Sequence, residues 1–136
     1  MKILVLQIFS LLLLSTTLSA EVRVDTLSKT RTSWDGTPLP AYPAGQPEVT
    51  VLKYTIPPNT QLPLHRHPVI NAAYVLSGEL TVIKSEGNQT KHLKAGETLV
   101  ELVNQWHYGK NETEQPTELI VFYAGIKEEP LTVLQE

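Results

Sequence analysis

The chain predicts an all-β sandwich or barrel, and three observations carry that prediction. Short runs rich in Val, Ile, Leu, Thr and Tyr recur at residues 49–56, 71–76, 79–84, 98–103 and 118–123. Gly, Asn and Pro stand between them, as the turns between strands require. After residue 20 no segment has a convincing helical period. With 136 residues and 41% hydrophobic content, the chain suits one domain with its own core.

The elements follow in order. Met1 and Lys2 precede an apolar run to Leu14, broken only by Gln7 and Ser10, and then a small polar stretch from Ser15 to Ala20. That order predicts a secretory signal peptide over residues 1–20, cleaved near Ala20. A spanning helix needs about 20 apolar residues, more than this run supplies. The expected product is periplasmic or secreted, with no membrane segment after cleavage. No cysteine is present, so thiolate ligands, thiol nucleophiles and disulfides are all excluded.

Residues 21–46 carry Ser, Thr, Gly and several Pro, including Trp34-Asp35-Gly36 and the stretch from Pro38 to Pro43. They predict an extended arm, with Val22, Val24 and Leu27 able to add a short strand at its start. Trp34 and Tyr42 are expected to cover a sheet edge or close a pocket mouth. The barrel itself is expected over residues 47–136. Ser77-Gly78 predicts a tight turn between adjacent strands, and Ser85-Glu86-Gly87-Asn88 a hairpin loop.

The formal net charge is −3, and −4 once Lys2 leaves with the leader. No basic stripe is present, which argues against nucleic acid as a partner.

The chemistry concentrates at His65, His67 and His107. In a strand, two residues of spacing put His65 and His67 on one face. Three converging imidazoles make a metal site, because each donor nitrogen has to come within about 2 Å of the ion. His92, in a Lys-rich segment before a Gly turn, reads as a solvated strand residue. Trp106 and Tyr108 flank His107 and are expected to pack rather than stack on a ligand. Ala73, if inward, leaves room beside the metal.

The spacing around these histidines resembles the two motifs of the cupin superfamily, in its small single-domain form. Asn59, His65, His67, Asn71 and Gly78 fall at the intervals of the first motif, and Gly96, Leu102, Asn104, His107 and Asn111 at those of the second. The resemblance implies a double-stranded β-helix, or jelly-roll barrel, with a divalent transition metal (iron, manganese, zinc or nickel) inside its wider end. Asn59 and Asn104 replace glycines, which Asn tolerates because it accepts positive φ. Leu102 replaces a proline at little cost to the chemistry.

Asn71 matters more, because it stands where the family carries a metal-binding Glu. A neutral amide is a weaker donor and leaves the ion's charge unbalanced. The site is then three histidines with Asn71 as a weak or outer partner, or three histidines with a carboxylate from elsewhere. Glu101 is the candidate carboxylate and the candidate catalytic residue. It shares strand parity with Leu99, and an inward Glu is costly unless a metal, proton or base pairs with it. A register that leaves Glu101 facing water beside Glu97 also fits the sequence.

The resemblance implies a metalloenzyme acting on a small oxygen-rich or anionic substrate: dioxygen chemistry with iron, and hydration, isomerisation or lyase chemistry with the other metals. The alternative is a non-catalytic cup that binds, senses or sequesters a small molecule. An inward Glu101 favours the enzyme. A homodimer formed through the arm and an exposed sheet edge is compatible with both.

Overall fold

The computed structural model describes residues 20–136, so the expected signal peptide lies outside the described residues. Among the described residues ten strands form in chain order: β1 (Pro47–Ile56), β2 (Thr60–Gln61), β3 (His65–Arg66), β4 (Ile70–Ser77), β5 (Glu79–Lys84), β6 (Thr90–Lys94), β7 (Thr98–Val100), β8 (His107–Asn111), β9 (Thr117–Ile126) and β10 (Val133–Leu134). One sheet runs β1-β9-β4-β7 and the other β10-β3-β8-β5-β6, with β2 paired to β8. Every strand pair is antiparallel.

Alternation in β4 and β9 explains why the two sheets face each other. Asn71, Ala73 and Val75 point inward from β4, and Leu119, Val121 and Tyr123 from β9, while their neighbours are more exposed. Ile56, Leu80, Val82, Leu93 and Leu99 complete the core between the sheets. This is the double-stranded β-helix that the motifs imply.

Some local expectations resolve differently. Ser77-Gly78 is a turn, but its flanking strands do not pair: β4 lies in one sheet and β5 in the other. It is a corner by which the chain changes sheets. Gly78 has φ 77°, and a Cβ there would meet Pro116 O and Thr117 Oγ1 at 2.8 Å. Val22, Val24 and Leu27 form no strand and are exposed. Strand β7 stops at Val100, because the chain then crosses between the sheets. Asn104 turns that crossing at φ 56°, and Asn59 holds φ 50° before β2, the conformations expected of residues standing in for glycine.

The arm covers an edge. Thr32 and Pro38 bridge around the Trp34-Asp35-Gly36 turn, and Trp34 N donates to Val100 O at 3.0 Å along the outer edge of β7. The Trp34 ring packs against the core. Asp35, its side chain 2% exposed, pairs with Lys84 Nζ at 2.8 Å at the end of β5. Tyr42 takes no part and is 76% exposed.

Candidate metal centre

The short strands β3 and β8 lie side by side with His65 opposite His107. His67 follows β3 and bridges to Val103 in the crossing segment. Ring centroids are 4.6 Å apart for His65 and His107, 4.9 Å for His65 and His67, and 5.1 Å for His67 and His107. One ligating atom from each can be chosen so that all three lie within 4.8 Å of one another. The three histidines could therefore hold a metal ion.

The hydrogen bonds fix which nitrogens face inward. His65 Nδ1 lies 2.8 Å from Pro63 O, His67 Nδ1 2.8 Å from Leu131 O, and His107 Nδ1 2.8 Å from Gln105 O. A carbonyl can only accept, so each Nδ1 carries the proton and donates it. Each neutral ring then presents a bare Nε2 lone pair, the tautomer that suits a metal ligand.

Glu101 joins them. Parity with Leu99 holds: both are buried, and Glu101 N donates to Asn71 O at 3.1 Å. Ser33 Oγ in the arm donates to Glu101 O at 2.7 Å. The Glu101 carboxylate lines the same cavity as the histidines. Its Oε2 is 2.8 Å from His107 Nε2, yet both atoms are buried without an aligned hydrogen-bond partner. A carboxylate oxygen and an imidazole lone pair at that distance repel unless a cation or a proton lies between them. The donor set thus fits a divalent ion: three nitrogen lone pairs and one anionic oxygen, with no Lys or Arg on the cavity wall among the described residues.

Without a metal the electrostatics follow from burial and this pair. Burial pushes His65 down, and pushes His67 down to about 4 against the pull of Leu131 O and Glu101. For His107 burial also lowers the pKa, but Glu101 outweighs it and the net shift is upward. Burial would raise Glu101, and His107 outweighs it and holds the carboxyl below its ordinary range.

Asn71 is fully buried on the inward face of β4, but it is not among the residues lining the cavity. Its Nδ2 has only a 3.5 Å contact with Val69 O, and its Oδ1 has no partner. The flanking aromatics turn away from the cavity: Trp106 lies under Arg66 and Tyr108 under Lys110. Ala73 does line the cavity. His92 is exposed on β6, with Nδ1 2.9 Å from Thr81 Oγ1. Asn111 donates to Ile56 O, Pro57 O and Gln115 O, a structural post at the end of β8.

Sequence reasoning missed the second layer. The tail over residues 131–134 lays β10 alongside β3 and supplies the His67 acceptor. Tyr54 and Tyr123 bond to each other at 3.0 Å on the cavity wall, and burial raises the Tyr123 phenol far above its usual range, so it stays protonated. The tyrosines sit on inward positions of predicted strands, which parity could have revealed. The tail carries only the weak signal of apolar Leu131, Val133 and Leu134 after a proline.

The cupin domain model matches residues 52–123. No curated protein matches the chain. Among solved structures, an oxalate oxidase in complex with the substrate analogue glycolate aligns with TM-score 0.54 at 26% identity, over 63% of this chain and 45% of that one. The DMSP lyase DddQ from Ruegeria pomeroyi DSS-3 aligns at 0.55 and 22% identity, over 64% and 43%. The present chain therefore spans less than half the length of either. An uncharacterized protein with a double-stranded beta-helix domain from Klebsiella pneumoniae aligns at 0.57 and 22% identity, over 85% of this chain and 99% of that one.

Proposed function

The chain belongs to the cupin domain family, and from that premise we propose that it is an exported metalloenzyme holding one divalent transition metal through Nε2 of His65, His67 and His107. The observation that carries this reading is the set of three outward-bonded Nδ1 protons, which leaves three bare lone pairs beside an unpartnered Glu101 oxygen. Bound there, the ion would supply Lewis acidity, or redox chemistry if it is iron.

Glu101 supplies the negative charge that Asn71 lacks. It is also the site's proton acceptor. Each histidine has committed its Nδ1 proton to the main chain, and the buried Tyr123 phenol holds its own proton. With the three Nε2 lone pairs on the ion, the Glu101 carboxylate is the lining group among the described residues left to take a proton from a ligand lying against the histidines. This favours an enzyme over a purely sequestering cup.

The substrate meets the site through an oxygen-bearing group, a reading that the glycolate-bound oxalate oxidase supports by likeness. An oxygen-rich polyanion has less support, since among the described residues no Lys or Arg lines the cavity. Export rests on the order of residues in the first 20 positions.

The test is elemental analysis of tag-free protein beside His65→Ala and His107→Ala. Stoichiometric iron, manganese, nickel or zinc in the wild type and its loss from both variants is expected. Near-zero metal in all three, persisting after incubation with ferrous, manganese and zinc salts, rules the site out. The metal found then directs the assay, oxygen uptake for iron and isomerase or lyase turnover for the others.

A further inference from the structure

The cavity beside the histidines has a volume of about 200 Å³ and two unlike ends. His65, His67, His107 and Glu101 form one end. The unpartnered buried polar atoms on the cavity wall, Glu101 Oε2 and His107 Nε2, both belong to it. The remaining wall is aliphatic, built by Ile56, Leu62, Leu80, Val82, Leu119 and Val121. Its hydroxyls sit in pairs: Tyr54 and Tyr123 share one hydrogen bond at 3.0 Å, and Thr132 Oγ1 lies 3.3 Å from His67 Nδ1.

A ligand with polar groups along its length would lose water there and find few replacement partners among the aliphatic side chains. A hydrocarbon body loses nothing and buries its surface. We infer that the cavity takes a small amphiphile, with a single oxygen-bearing head group at the histidine and Glu101 end and a short uncharged hydrocarbon body against the aliphatic wall. The position of the head group rests on the metal reading above. The hydrocarbon body rests on the wall alone.

Calorimetric titration of protein of measured metal content with acetohydroxamate, butanohydroxamate, hexanohydroxamate and oxalate tests this. The three hydroxamates share one metal-binding head and differ only in chain length. Affinity is expected to rise about fourfold per added methylene, with oxalate weaker than hexanohydroxamate. Ala73→Leu fills the cavity and is expected to abolish the gain with chain length while metal content stays. Val121→Thr keeps the shape and adds a hydroxyl to the wall, so it should flatten the same series even if the Leu variant does not fold.

Metal-loaded protein whose affinity is flat in chain length, or tightest for oxalate, overturns the inference and leaves the metal reading intact. If the protein holds no metal, hexanol and ethanol replace the hydroxamates. A rise in melting temperature with hexanol alone, absent in the Ala73 variant, upholds the hydrocarbon pocket while the metal reading fails, and no difference between the alcohols overturns both.

Discussion

Each of the three histidines donates its Nδ1 proton to a main-chain carbonyl, so the buried His67 and His107 rings cannot turn without leaving a donor unpaired, at a cost of about 1–3 kcal/mol each. That commitment makes the charge at the fourth position decisive. Glu101→Gln keeps the shape of the side chain and removes its charge. Competition with a chelating dye should show divalent-ion affinity falling by about 10–100-fold, with the fold retained by circular dichroism. Asn71→Val removes the unpartnered Oδ1, and since Asn71 does not line the cavity, metal content should match the wild type. If the Asn71 variant loses its metal as Glu101→Gln does, the amide is part of the coordination. The histidines were legible in the sequence because a spacing of two fixes a shared face. The direction of Glu101 was not, because one residue of register decides it and the deciding contacts, Ser33 Oγ to Glu101 O and Glu101 N to Asn71 O, join residues far apart in sequence.

At the scale of elements, the arm and the C-terminal tail both hold the site. The arm's turn ties to β7 through Trp34 N and to β5 through Asp35 and Lys84. The C-terminal tail lays β10 along β3, with Val133 opposite Arg66 and Leu134 opposite His65, and offers Leu131 O to His67. Removing residues 130–136 leaves the core strands paired but frees the His67 ring, so metal affinity should fall by about 10–100-fold while the far-ultraviolet spectrum stays that of a β protein. The Asp35 pair has a pH signature. Burial alone would raise the Asp35 carboxyl, but Lys84 and Thr37 outweigh it and hold it below its ordinary range. A depressed carboxyl contributes stability that is present above about pH 4 and is lost as pH falls through its folded value. Asp35→Asn should therefore cost about 2 kcal/mol at pH 7, with the gap to wild type closing below pH 4 in urea titrations. Of these elements, the long strands were visible as alternating runs, with Glu79–Lys84 matched at both ends. The two-residue strands β2, β3 and β10 are too short to show a period, and their pairing is set by partners distant in sequence.

For the whole molecule, the inward Glu101 and three buried or half-buried histidines place four polar groups where a barrel of this size would otherwise pack aliphatic side chains. Without an ion, burial disfavours charge on His67, and Glu101 Oε2 and His107 Nε2 stay without aligned partners, so the metal-free barrel gives up stability at its histidine end. An ion that binds only the folded state returns it by mass action, since unfolding separates His65 and His67 from His107 and disperses the site. At a free metal concentration 100 times its dissociation constant, the gain is about 2.7 kcal/mol, which for a domain of this size raises the melting temperature by about 10 °C. Thermal denaturation of chelator-treated protein, with and without added ferrous, manganese or zinc ions, should show that rise for the native metal and its reversal by EDTA. His107→Ala should melt at one temperature under all conditions, because the remaining pair cannot close the site. A shift of equal size in that variant would place the stabilising ion elsewhere on the surface, and would reduce the histidines from a metal centre to a buried polar cluster.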